Sequence, residues 1–322
     1  MFFIPTLAFL ESAIDFATIS FIAALLLLSV FSICFIFHLR FKSRSSRHLQ
    51  NFNSLWTVRF LFVFLITLWT LTEFLRLPLF RRRYLYPLLP KLTQPQEANI
   101  CKSYIVLSLG FFQPGFLVTL LFLLDVSVKK TTPRSFFSVF FVLVLCLPIL
   151  LLQIYVVFSS GPNNIHAPLI LQRSWFVPWN INGGDTTVLC AYPLLSVILF
   201  GVFGAVFSLS FMVSFWRVVS HVINKALRVR ICALAVTVIV TLPLQILFLG
   251  MSVFWTPDKI AFDGVTLLML ISAVTCAIVG EGILVIKPIA DSLAADGGGG
   301  GGSSHSESTT TSSVRPVEDG MP

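Results

Sequence analysis

The chain is 322 residues long, 56% hydrophobic and only 11% charged, with a formal net charge of +8 and a mean hydropathy of +0.91. A soluble domain carries about 25% charged residues, so this composition excludes a water-wrapped globule and points to an integral membrane protein. Most of the basic residues sit in short connections beside apolar runs, where they set orientation, which argues against nucleic acid as their partner.

Seven apolar segments are each long enough, at about 1.5 Å per residue, to cross a hydrocarbon core of about 30 Å. They run roughly Ile14–Phe37, Thr57–Leu75, Tyr104–Leu124, Phe136–Phe158, Pro193–Trp216, Ile231–Trp255 and Gly264–Ile286. The runs are continuous, without the apolar/polar alternation of barrel strands. The expected fold is therefore an all-α membrane protein, a seven-transmembrane helix bundle in contact with the lipid bilayer. The leading stretch MFFIPTLAFLESAIDF lacks a positive n-region, so the first span is expected to act as its own targeting signal.

The connections alternate in charge. Arg40, Lys42, Arg44 and Arg47 follow span one; Lys129, Lys130 and Arg134 follow span three. Arg217, Lys225, Arg228 and Arg230 follow span five, and Lys287 follows span seven. That side carries twelve basic residues close to the membrane against eight on the other, which favours an outside N-terminus and a cytosolic C-terminus. The second connection, LRLPLFRRRYLYPLLPKL, runs against the trend. Either it binds acidic polysaccharide or anionic headgroups on the non-cytosolic side, or the chain is inverted.

Cys34, Cys146, Cys232 and Cys276 fall inside spans and are expected to pack as small apolar side chains. Cys101 precedes span three and Cys190 precedes span five, both facing the same non-cytosolic compartment. There they either form a disulfide that pins the fourth connection over the bundle mouth or remain two free thiols. That connection also carries Trp175, Phe176 and Trp179, which suit either headgroup anchoring or a lid over a ligand. The fifth, RVVSHVINKALRVR, separates an apolar face from a basic one, so spans five and six are expected to extend as helices that meet anionic lipid or an acidic protein. Residues 1–288 form the expected transmembrane domain, and the Gly/Ser/Thr-rich residues 289–322 are expected to be a disordered cytosolic tail.

Three spans carry a central proline with an amide nearby: Gln113 and Pro114, Pro148 and Gln153, Pro243 and Gln245. Proline removes a backbone donor and frees a carbonyl. The amides either repair that loss locally or line a cavity between kinked helices. Glu281, set between Gly280 and Gly282, is expected to form an intramembrane ion pair with Arg59 or to snorkel to the interface, as Arg59 would. Glu73 either meets Arg76 or points into a pocket mouth. No catalytic set, metal site or cofactor motif emerges from the scattered histidines and acids, so the chain is not expected to be an enzyme.

The stretch NICKSYIVLSLGFFQPGFLVTLLFLLDVSVKK, followed by VLCLPILLLQIYVVF, resembles plant-specific seven-pass membrane proteins put forward as candidate G-protein-coupled receptors. The resemblance implies a receptor plan, with an outside N-terminus, a disulfide between Cys101 and Cys190, and a kinked sixth span at Pro243. Span three ends in Asp125-Val126-Ser127 and span seven lacks an Asn-Pro-x-x-Tyr pattern, so G-protein coupling is not carried onto particular residues. The expected function is that of a receptor-like GPCR-like protein of the plasma membrane or an endomembrane. It would sense a small extracellular or lumenal ligand and signal to a cytosolic protein. A small-solute transporter and a non-signalling scaffold are the alternatives.

Overall fold

The structure, a computed structural model, describes residues 4–43, 55–76, 94–129, 135–159, 176–180, 186–221, 225–257 and 259–297. Among them are seven helices long and apolar enough to cross a membrane. Helix α1 spans Ile4–Ser43 and α2 spans Trp56–Arg76. Helix α3 runs through Gln94–Leu107, a π-helical turn at Ser108–Phe112, and Gln113–Lys129. Helix α4 spans Ser135–Ser159, α5 Leu194–His221 and α6 Lys225–Ser252. Helix α7 runs through Ile260–Glu281, a second π-helical turn at Gly282–Ile286, and Lys287–Gly297. In lipid no water answers backbone N–H and C=O groups, so continuous apolar runs fold as helices that satisfy themselves.

Helix α7 continues to Gly297, so the expected boundary at 288 falls inside a helix. Residues after Lys287 hold that helix to the bundle because Ile289 is buried and Arg230 bonds Asp291 at 2.8 Å. The Ser/Thr-rich stretch 303–313, the basic residues Arg81, Arg82, Arg83 and Lys91, and Trp175 lie outside the described residues. The sequence also suggested long helices for spans five and six, and α5 runs on to His221 while α6 starts at Lys225.

Helices α1, α2, α4, α5, α6 and α7 close a ring in which each packs on the next, and α3 runs inside it against α2, α4 and α5. Burial agrees: 78% of the apolar window of α3 lies inside the protein, against 28% for α1 and for α4. The outer faces carry large apolar side chains such as Phe31, Leu151, Leu209 and Leu247, suited to acyl chains. One apolar core, with Phe62, Trp69, Phe116 and Leu234, draws on all seven helices. A second, with Ile105, Leu109, Phe200 and Leu249, fills the end near the disulfide.

Both π turns end immediately before a residue that precedes proline. Gln113 N–H reaches back to the Ser108 carbonyl ahead of Pro114, and Lys287 N–H reaches the Gly282 carbonyl ahead of Pro288. A proline ring clashes with the carbonyl four residues back, and one extra residue in the turn moves that carbonyl away. Pro148 and Pro243 instead sit within uninterrupted α-helix. Each widened turn contains a glycine (Gly110 or Gly282), whereas the six residues before Pro148 and before Pro243 contain none.

Ahead of α5, strands β1 (Phe176–Asn180) and β2 (Thr186–Cys190) form an antiparallel hairpin with Phe176 opposite Cys190 and Asn180 opposite Thr186. Cys190 at the end of β2 is bonded to Cys101 on α3, with Cα atoms 5.5 Å apart. The two remaining buried thiols, Cys146 and Cys276, pack inside spans as expected.

Candidate functional site

The disulfide fixes which residues can meet beneath it. Tyr192 follows Cys190 by two residues, and Tyr104 lies three residues after Cys101 on the same face of α3. Their hydroxyl oxygens are 2.7 Å apart. Tyr104 donates to the Glu73 carboxylate of α2, at 3.1 Å from each oxygen. Arg76, one turn further along α2, reaches Tyr192 Oη at 3.4 Å and places its Nε 3.8 Å from Glu73 Oε2.

From Glu73 the contacts continue toward the middle of the bundle. Ser108 Oγ donates to Glu73 Oε1 at 3.3 Å, and Gln113 Nε2 lies 3.5 Å from Ser108 Oγ. Gln245 Nε2 on α6 donates to Gln113 Oε1 at 2.7 Å. Seven side chains thus form one chain of contacts from the disulfide end to the proline-bearing stretches of α3 and α6. Glu73, Tyr104, Ser108 and Gln113 are each 1% exposed, and Gln245 is 3% exposed.

The donor directions are consistent along both arms. Arg76 donates to Tyr192, Tyr192 to Tyr104, and Tyr104 to Glu73. On the other arm Gln245 donates to Gln113, Gln113 to Ser108, and Ser108 to Glu73. Glu73 therefore accepts on every side, the arrangement a carboxylate takes, with the Arg76 cation beside it. Tyr192, outside the apolar spans, is held in its neutral form because burial pushes its phenol above the ordinary value. A buried network satisfied in this way fixes side-chain positions firmly, since losing one member strands the rest.

The π turn helps to build the site. Ser108 opens it and Gln113 follows it, so widening the helix by one residue resets the angle between the tyrosine end and the amide end. Gly110 lets α4 approach closely at that level: a Cβ there would lie 3.1 Å from Gln153 Cβ.

The amides expected to line one cavity separate into two settings. Gln113 and Gln245 bond each other, whereas Gln153 donates to the Ser196 carbonyl of α5 at 3.0 Å. The reason is placement: Gln153 lies beside Gly110 on the α4 side of α3, while Gln245 comes from α6.

The expected ion pair between Arg59 and Glu281 is also corrected. Glu281 accepts from Ser29 Oγ at 2.8 Å and from Ser32 Oγ at 2.9 Å, both on α1. Helix α2 presents Phe62 to α7 at that level: a Cβ on Gly280 would lie 3.0 Å from Phe62 Cζ. Gly282 meets nothing within 4 Å, so only Gly280 of the pair serves close approach.

Sequence reasoning found Glu73, its local partner Arg76, Gln113 and Gln245, but missed Tyr104, Ser108 and Tyr192. Spacing held a signal for two of them, since Cys101, Tyr104 and Ser108 share one face of α3. Ser29 and Ser32, three apart in the otherwise apolar stretch 21–37 of α1, gave the same kind of signal for Glu281.

The chain belongs to the family described as uncharacterised conserved protein UCP031277, whose signature matches residues 4–298. No curated protein matches it.

Proposed function

We propose that this member of the family is a receptor-like multi-pass membrane protein, oriented with its disulfide end outside the cytosol. The observation that carries the reading is the buried contact chain from Arg76 and Tyr192, under the disulfide, to Gln113 and Gln245 in α3 and α6. A small ligand that shifts the hairpin or the tyrosines changes what Glu73 accepts. It thereby biases the Gln113–Gln245 contact and the position of α6. Helix α6 begins with Lys225, Arg228 and Arg230, a basic end suited to an acidic face of a cytosolic signalling protein. Such a switch requires differential affinity of the ligand for the two arrangements. The charge bias of the connections, the disulfide and the resemblance to plant seven-pass candidate receptors support the orientation and the class.

The test is a distance measurement between spin labels at Phe41 on α1 and Val229 on α6, both exposed at the same end of the bundle. Full-length protein in nanodiscs is compared with Gln245→Leu and with phosphine-reduced protein. The receptor-like reading expects a second distance population under either perturbation. An unchanged single distribution contradicts it and favours a membrane scaffold. That second reading has its own support, because Gln113 and Gln245 are buried and satisfy each other.

A further inference from the structure

Where the widened turn of α3 meets α4 and α5, two neighbouring side chains each hold a buried oxygen that nothing answers. Gln153 and Ser196 are both 0% exposed. Gln153 uses its Nε2, which donates to the Ser196 carbonyl at 3.0 Å. Its Oε1 and the Ser196 Oγ have no hydrogen-bond partner. The free amide oxygen and the free hydroxyl thus belong to two groups already held in contact. A buried polar atom without a partner is costly, so each calls for one.

Neither oxygen is answered locally. Hydroxyls deeper in the spans, such as those of Thr70, Thr119 and Ser272, bond the carbonyl four residues back. Ser196 is the third residue of α5, so the carbonyl four back belongs to Tyr192, ahead of the helix. Gln153 Oε1 only accepts and needs an O–H or N–H. The turn of α3 adds a further acceptor: Pro114 has no N–H, which leaves Ser108–Phe112 one backbone donor short. Gly110 brings that turn against Gln153, since an added Cβ would lie 3.1 Å from Gln153 Cβ. The junction therefore lacks two donors and holds one hydroxyl with a proton to give.

We propose that Gln153, Ser196 and the widened turn of α3 bind an internal water molecule that joins α3, α4 and α5. The water accepts from Ser196 Oγ, donates one O–H to Gln153 Oε1 and donates the other to the turn carbonyl that Pro114 leaves unanswered. Three bonds are the usual complement of a buried water. Water has a short way in: Gln153 lies six residues before the end of α4 at Ser159, about 9 Å along the helix, and Ser196 is in the first turn of α5.

The test is a cryo-electron microscopy map of the full-length protein in nanodiscs, at a resolution that shows ordered water, with thermal unfolding of variants beside it. The expected result is a density peak about 2.8 Å from both Gln153 Oε1 and Ser196 Oγ. Ser196→Ala is expected to lose that peak and to lower the unfolding midpoint by about 2 °C or more, because Gln153 Oε1 is then stranded. Gln153→Leu is expected to lose the peak as well, and Ser196→Ala carries the test if Gln153→Leu fails to fold. Ser138→Ala supplies the contrast. Ser138 Oγ, in the first turn of α4, is also buried and unpartnered, and deleting a hydroxyl that nothing answers is close to neutral or stabilising. No peak in the unaltered protein where other ordered waters are seen overturns the site. So does a Ser196→Ala midpoint that falls no further than that of Ser138→Ala.

Discussion

Glu73 is the residue on which the buried chain converges, so it should be the least replaceable polar group in the protein. Glu73→Leu removes the acceptor from Tyr104 and Ser108 and leaves Arg76 without its counter-charge. Breaking a buried pair from one side costs about 3–5 kcal/mol. Tyr104→Phe removes only a hydroxyl and should cost about 1–2 kcal/mol. Thermal unfolding of the full chain in nanodiscs gives both values, and an equal loss for the two variants contradicts the convergence on Glu73. Tyr192 adds a pH dependence of known sign. Its phenol is raised above 10.0 by burial, so the unfolded chain loses that proton first as pH rises. The folded protein then holds more protons, and its stability falls with pH above about 10. Tyr192→Phe should flatten that decline; an unchanged slope contradicts the burial argument. Part of this site was legible in the sequence. An acid three residues from an arginine, and lone amides in apolar spans, announce themselves. Tyr192 did not, because its contact with Tyr104 exists only once the disulfide brings the end of β2 onto α3.

Among the elements, α3 shows how far local pattern reaches. Its apolar run announced a span, and the enclosed helix is the one the ring packs around. Its proline announced a kink, but the chain answers Pro114 and Pro288 with π turns and keeps Pro148 and Pro243 in α-helix. Periodicity could not separate those outcomes, since both begin from the same lost donor. The glycine in each widened turn offers a physical distinction, because a residue without a side chain crowds its neighbours least. Gly110→Ala tests it at a place where space is also short, with Gln153 Cβ only 3.1 Å from the added carbon. Overpacking of this kind costs about 1–3 kcal/mol. The Ser196 carbonyl contact of Gln153 should weaken with it. Unchanged stability contradicts the close α3–α4 approach. The pairing of helices was the part least visible in advance. Arg59 and Glu281 have opposite charges, yet α1 stands between their helices in the ring and supplies Ser29 and Ser32 to Glu281. Removing both hydroxyls, Ser29→Ala with Ser32→Ala, should cost about 1–3 kcal/mol for each lost bond at a buried acceptor.

For the whole molecule, seven crossings place the ends of the chain on opposite faces of the bilayer, and the basic connections favour the C-terminal end in the cytosol. An impermeant maleimide added to sealed cells should label Cys101 and Cys190 only after reduction, and protease should spare a C-terminal tag. Labelling only after permeabilisation contradicts that orientation. The claim on which the functional account depends is that the two ends of the buried chain act as one unit. A double-mutant cycle of Tyr192→Phe with Gln245→Leu, read by thermal unfolding in nanodiscs, tests it most directly, because no hydrogen bond joins those two residues directly. The account predicts a coupling of about 0.5 kcal/mol or more, above the limit for independent sites. Additive losses would contradict it and leave a bundle whose two ends are merely well packed.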